Sequence, residues 1–126
     1  MDEHEGFNRR DFGAEHEDIA LNYLLGLGYR LLKKNFRFGR AGEIDIVMRD
    51  GPVYVFVEVK ARRSHGFGLP EESITMAKRR TIRKVAEGYA FINQLDNYEA
   101  RFDVVAIDYV TGTNGRPEIR HYIGAF

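Results

Sequence analysis

The chain has 126 residues, 44% of them hydrophobic and 30% charged, with 19 Lys plus Arg balanced by 19 Asp plus Glu. That length and apolar content suit a single domain over 1–126, the lack of cysteine excludes disulfides and thiolate metal sites, and there is no apolar run of the ~18 residues that would cross a membrane. Zero net charge argues against a wholly basic nucleic-acid coat, and the acidic start Met1-Asp2-Glu3-His4-Glu5 is unlike a secretory signal, so a cytoplasmic protein is expected.

Residues 1–7 read as a flexible tail. Asn8 is placed to cap a helix, with Asp11 three residues on and Phe7 and Phe12 at the two staple positions. The helix is predicted to run to about Leu27 and to stop at Gly28, a residue suited to the turn beyond a helix. Ala20, Tyr23, Leu24 and Leu27 form its apolar stripe. Glu17 lies three and seven residues before Ala20 and Leu24, which puts a carboxylate on the core-facing side. A strand follows within Tyr29 to Phe38, with Leu32, Lys34, Phe36 and Phe38 alternating against Lys33, Asn35 and Arg37.

Two further strands carry charge at every second position: Gly42-Glu43-Ile44-Asp45-Ile46-Val47 and Val55-Phe56-Val57-Glu58-Val59-Lys60. Asp50-Gly51 between them is a strong hairpin signal. With those two residues as the turn, Arg49 faces Pro52, Asp45 faces Phe56 and Glu43 faces Glu58. Glu43, Asp45, Glu58 and Lys60 then emerge on one face, and Ile44, Ile46, Val57 and Val59 on the other. Like charges opposite one another destabilise a sheet, so three carboxylates beside one ammonium point to a bound divalent cation. An amphipathic hairpin with a solvated charged face is the open alternative, although Tyr54 and Phe56 share that face.

Residues 61–72, with two glycines and a proline, read as the most mobile loop. A second helix is predicted from Ser73 or Thr75 to about Ile92, burying Ile82, Val85, Ala86, Tyr89 and Ile92, with Arg79, Arg80, Arg83 and Lys84 towards the outside. Strands over Arg101–Val110 and about Glu118–Ile123 close the chain, joined by a Thr-Gly-Thr-Asn-Gly turn. The expected order is α-β-β-β-α-β-β, an α/β fold with one mixed sheet flanked by helices. Asp103 reads as structural, paired with Arg101. His65 and His121 lack a second histidine at ligand spacing, so a histidine-built metal site is not expected.

Basic residues are unevenly spread. Residues 28–40 hold five Lys or Arg and no acid, and 60–84 hold eight against Glu71 and Glu72. A neutral chain can in this way present one basic surface to phosphates.

An acid on the second strand followed by Glu-x-Lys on the third resembles the PD-(D/E)xK nuclease superfamily, with Asp45, Glu58 and Lys60 at its motif positions and Ile44 where that motif has proline. A wider pattern resembles the YraN-like family, small bacterial proteins similar to archaeal Holliday-junction resolvases. It comprises Glu17-x-x-Ala20-x-x-Tyr23-Leu24, Gly28-Tyr29, Asn35-x-Arg37, Gly42-Glu43-Ile44-Asp45, Phe56 to Lys60, Gly68, Lys78, Tyr89 and Arg101 to Val105. It covers nearly the whole chain from about residue 11; His16 stands where the family typically has glycine.

The resemblance implies a restriction-endonuclease-like αβββαβ core and Mg²⁺ (or Mn²⁺) held by Asp45, Glu58, the carbonyl of Val59 and Glu17, with Lys60 completing the catalytic set and Glu43 behind the ligands. Such an ion takes oxygen ligands and activates water for phosphodiester hydrolysis. The implied substrate is structured DNA, gripped through Arg37, Arg40, Arg62, Arg63, Lys78 and Arg79, and the implied assembly is a homodimer. Two other readings stay open: a non-catalytic nucleic-acid-binding module of the same fold, and a protein-interaction domain using Tyr54, Phe56 and the acids.

Overall fold

Ala20 and Leu24, four residues apart on one helical face, are both fully buried, as the apolar spacing demands. They belong to helix α1 (Arg9–Gly26), the first element of a computed structural model that describes residues 9–66 and 68–126. The expected Asn8 cap, the Phe7–Phe12 staple contact and the tail over 1–7 lie outside the described residues. Gly28, at φ 94°, ends α1 as expected. Its N–H reaches the Leu25 carbonyl at 2.9 Å while the Tyr29 N–H reaches that of Leu24 at 3.3 Å, the pairing of a Schellman turn. Leu27 falls beyond the last helical residue and is exposed, so it does not join the buried stripe; buried His16 does.

Strands β1 (Arg30–Phe38), β2 (Gly42–Asp50) and β3 (Val53–Arg62) follow, then a single 3₁₀ turn at Pro70–Ser73, helix α2 (Met76–Ile92), and strands β4 (Glu99–Thr113) and β5 (Arg116–Tyr122). The sheet order is β1-β2-β3-β4-β5. Only β3 and β4 run parallel, α2 being the crossover that such a pair requires. This is the mixed sheet flanked by helices that the sequence predicts. Thr75 caps α2 by accepting the Lys78 N–H on its hydroxyl at 3.2 Å. Asn114 and Gly115, both at positive φ, form the β4–β5 turn, the type that suits the twist of a two-residue hairpin.

Each helix covers one face of the sheet. Ala20 and Leu24 of α1 pack with Ile46, Met48, Val55, Val57, Val105 and Ile107. Ile82, Val85, Ala86 and Tyr89 of α2 pack with Phe36, Ile44, Val47 and Phe56. Ile92, on the last turn of α2, is 56% exposed rather than buried. Gly88 lets α2 lie close to β1, since a Cβ there would stand 2.4 Å from the Phe38 ring. The loop expected over 61–72 is shorter, since Ala61 and Arg62 belong to β3 and Pro70–Ser73 to the 3₁₀ turn, and His65 within it has its Nε2 2.8 Å from buried Asp108. Among the described residues, no helix is long and apolar enough to cross a membrane.

Candidate active site

The site grows from a reversal in β2. Ile46 and Met48 pack towards α1, whereas Ile44 and Val47 pack towards α2. Regular alternation would send Ile44 and Ile46 to the same face, so the strand turns over at Asp45. In β1, Phe36 pairs with Ile44 and Lys34 with Ile46. The residue between them, Asn35, takes a left-handed backbone at φ 52°, which asparagine tolerates better than most. The expectation that Ile44 and Ile46 share a face is therefore corrected.

The hairpin register is corrected too. Asp50 pairs with Val53, so Gly51 and Pro52 form the turn, and Met48 and Ile46 face Val55 and Val57. Proline has no N–H to donate, which disfavours the expected ladder position opposite Arg49. The displacement is two residues, which leaves every β3 side chain on its expected face and brings Glu58 level with Asp45 instead of Glu43.

The β2–β3 ladder stops at Ile46 and Val57. Beyond it, side chains join the strands. The Val59 N–H donates to Asp45 Oδ2 at 2.8 Å, and the Asp45 N–H points to Glu58 Oε2 at 3.4 Å. A cleft of about 230 Å³ opens beside α1, bordered by His16, Glu17, Asp45, Val59, Lys60 and Arg62. A second, of about 280 Å³, opens beside α2, bordered by Glu43, Glu58, Lys60, Lys78 and Thr81. Lys60 borders both. The four charged residues of the hairpin thus do not share one face: Glu43, Glu58 and Lys60 border the α2 side, while Asp45 turns towards Glu17. The carboxyls of Asp45 and Glu58 meet where the ladder has parted.

Electrostatics reflects that meeting. Burial pushes the Glu58 carboxyl up to about 8, and the charge of Asp45 adds to the rise. Burial raises Asp45 as well, while the Val59 amide and Lys60 favour its charged form. Glu17 is raised by burial and then by Asp45; a hydrogen bond from Asn35 opposes both. Among the described residues, no three His, Asp or Glu side chains form a ready-made metal cage. Two crowded carboxylates whose charged forms are disfavoured nevertheless fit Mg²⁺ or Mn²⁺. Mg²⁺ keeps several waters and is commonly bound through one or two carboxylates plus substrate phosphate.

The basic residues divide. Arg62 borders the α1-side cleft and Lys78 the α2-side cleft. Arg37 and Arg40 are exposed around the β1–β2 turn. Arg63 stacks on Tyr109, 4.4 Å from its centroid. Arg79 is half-buried over Phe126 and borders neither cleft. A separate cavity of about 460 Å³ under the C-terminal segment contains none of the hairpin acids. Its one carboxylate, Glu71, is gripped by Arg120 at 2.8 and 3.0 Å. Asp103 is structural as expected, bonded to Arg101 at 2.9 Å and to His121 at 2.8 Å.

Three residues gain a place that sequence reasoning did not assign: Asn35 through Glu17, Thr81 on the α2-side cleft, and His16. The His16 ring is 2% exposed and meets Tyr109 edge-on at 5.3 Å. Asn35 and His16 each had a signal: Asn35 stands in the Asn35-x-Arg37 pattern, and His16 lies four residues before Ala20 on the buried stripe.

The sequence profile described as "Uncharacterised protein family UPF0102" matches residues 16–107, a span that includes Glu17, Asp45, Glu58 and Lys60. A UPF0102 protein of Geobacter sulfurreducens is 44% identical over 114 residues, 90% of this chain and 87% of its own length. One from Geotalea daltonii is 42% identical over 123 residues, 97% and 94% of the two chains. One from Syntrophus aciditrophicus is 50% identical over 95 residues, 75% and 74%.

Proposed function

The chain belongs to the uncharacterised protein family UPF0102, and from its Asp45–Glu58 site we propose that it is a metal-dependent, nuclease-like protein that binds structured DNA and hydrolyses its phosphodiester bonds. One observation carries the reading: two buried carboxylates meet where the β2–β3 ladder ends, with Lys60 beside both clefts. A structural hairpin gains nothing from crowding acids there, because each buried charge needs a partner.

Asp45 and Glu58 would hold Mg²⁺ or Mn²⁺, with Glu17 and the Val59 carbonyl as further oxygen donors. When bound, such an ion lowers the pKa of a ligated water and offsets charge gathering on the phosphoryl oxygens. The Val59 amide holds the Asp45 carboxyl in place at 2.8 Å, and the Asn35 side chain favours the charged form of Glu17. Lys60 can orient the attacking water and counter the negative charge of the transition state. Glu43 borders the cleft behind Glu58. Arg37, Arg40, Arg62, Arg63 and Lys78 supply contacts to phosphates that position DNA without reading its sequence.

The test is cleavage of duplex, single-stranded, flapped and four-way DNA with Mn²⁺ by the wild type, Asp45→Ala and Lys60→Ala. Metal-dependent cleavage by the wild type, lost in both variants, is expected. Equal cleavage by all three proteins, or none by the wild type on any substrate, overturns the proposal. Salt-sensitive binding without cleavage would favour the non-catalytic binding module.

A further inference from the structure

The cleft beside α1 borders Glu17 and Asp45, the cleft beside α2 borders Glu43 and Glu58, and the C-terminal cavity borders Glu71. A groove of about 490 Å³ between α2 and the β1–β2 turn borders no carboxylate among the described residues. It is lined by Ala41 from the turn and by Ala77, Arg80, Thr81 and Lys84 from α2. Those four helix positions follow the i, i+3, i+4, i+7 spacing of one face. The turn comes close to α2 here, since a Cβ on Gly42 would stand 2.9 Å from the Thr81 methyl. Ala77 and Thr81 also border the α2-side cleft, so the groove and that cleft are contiguous.

Arg80 and Lys84 are both exposed and carry the same charge four residues apart, a pairing that destabilises a helix. Among the described residues, neither has a carboxylate within ion-pair distance, whereas Lys34 is paired with Asp18 at 3.0 Å and Arg120 with Glu71 at 2.8 Å. The neighbouring Arg79 and Arg83 each lie over the Phe126 ring at 5.5 Å. Arg80 and Lys84 have no such contact within the chain. An acid-free groove with two uncompensated cations suits a polyanion. We infer that Arg80 and Lys84 hold backbone phosphates of the DNA strand that flanks the cleavage point, in the groove beside the site rather than in the site. The inference rests on the nuclease reading and adds where the flanking strand is gripped. It divides the basic residues of α2: Arg80 and Lys84 serve the DNA, and Arg79 serves the packing of the C-terminal segment.

The experiment measures metal-free binding of labelled duplex and four-way DNA over a range of salt concentrations, with EDTA present so that no strand is cut. Each phosphate neutralised on B-form DNA contributes about 0.9 to the slope of log K against log salt. The double variant Arg80→Gln with Lys84→Gln should therefore lose about 1.8 of that slope, and each single variant about half as much. The control is Arg30→Gln with Lys33→Gln, which removes the same charge from two exposed residues of β1 and should keep the wild-type slope. Because the Arg80–Lys84 repulsion is relieved, their double variant should melt no lower than the wild type.

An unchanged slope in the Arg80–Lys84 double variant overturns the inference and leaves the nuclease reading intact. An equal loss in the β1 control also overturns it, since net charge alone would then explain the binding. So does a loss accompanied by a lowered melting temperature. Loss of slope at Arg80 and Lys84 in a protein that cuts no DNA when Mn²⁺ is restored keeps the groove assignment and overturns the nuclease reading. A wild type that binds neither DNA overturns both.

Discussion

Asp45 and Glu58 replace the ladder where it fails. Glu58 Oε2 faces the Asp45 amide at 3.4 Å, and Asp45 Oδ2 takes the amide of Val59, the residue after Glu58, at 2.8 Å. Each carboxylate thereby holds the opposite strand, and the gap between the strands becomes the place where the acids are crowded.

Crowding predicts a pH dependence. Glu58 holds its proton up to about pH 8 in the folded chain, chiefly because it is buried, against an ordinary value of 4.5. Between those values the folded state carries the extra proton, so stability is greatest below 4.5 and is lost as pH rises through 8. Urea midpoints for the metal-free wild type should fall between pH 5 and 9, and Glu58→Gln should flatten the trend. A midpoint that rises with pH would contradict this account of the site.

A divalent cation should reverse that loss. An ion that binds only the folded chain, at a hundred times its Kd, stabilises by about 2.7 kcal/mol, which raises the melting temperature of a chain this size by several degrees. Thermal melts at pH 8.5 with and without Mn²⁺ should show the rise in the wild type and not in Asp45→Asn. An equal rise in both proteins would place the ion elsewhere.

The loop after β3 is fastened by charge. Arg120 binds Glu71 and fully buried Asp108, and His65 reaches the same Asp108 oxygen. Hydrogen bonds from Arg120 hold Glu71 down to about 2. Its contribution is present above the ordinary 4.5 and disappears as pH falls towards 2. Arg120→Met leaves Asp108 buried with fewer partners, which costs about 3–5 kcal/mol. Denaturant unfolding checks the size, and hydrogen exchange over 63–73 should show that segment opening first.

Gly88→Ala tests the contact between α2 and β1. The new methyl would meet the Phe38 ring at 2.4 Å, and overpacking of this kind costs about 1–3 kcal/mol. The variant should melt several degrees lower, and Gly88→Ala combined with Phe38→Leu should recover part of the loss.

The order and kind of the elements were legible in the chain because each rests on local signals. These include the four-residue spacing of Ala20 and Leu24, the stop at Gly28, the β-branched runs of β2 and β3, and the stripe from Ile82 to Tyr89. The identity of the acids was legible for the same reason, since a charge at every second position of an apolar strand stands out on sight. Tertiary structure decided the rest. Pro52 could not serve the ladder and moved the register by two residues. Pairing with β1 at Asn35 and packing under both helices turned β2 over at Asp45, so Glu17 and Asp45 border one cleft while Glu43 and Glu58 border the other. Alternation is a property of one strand, but the point where it breaks is set by the neighbours on which that strand is laid.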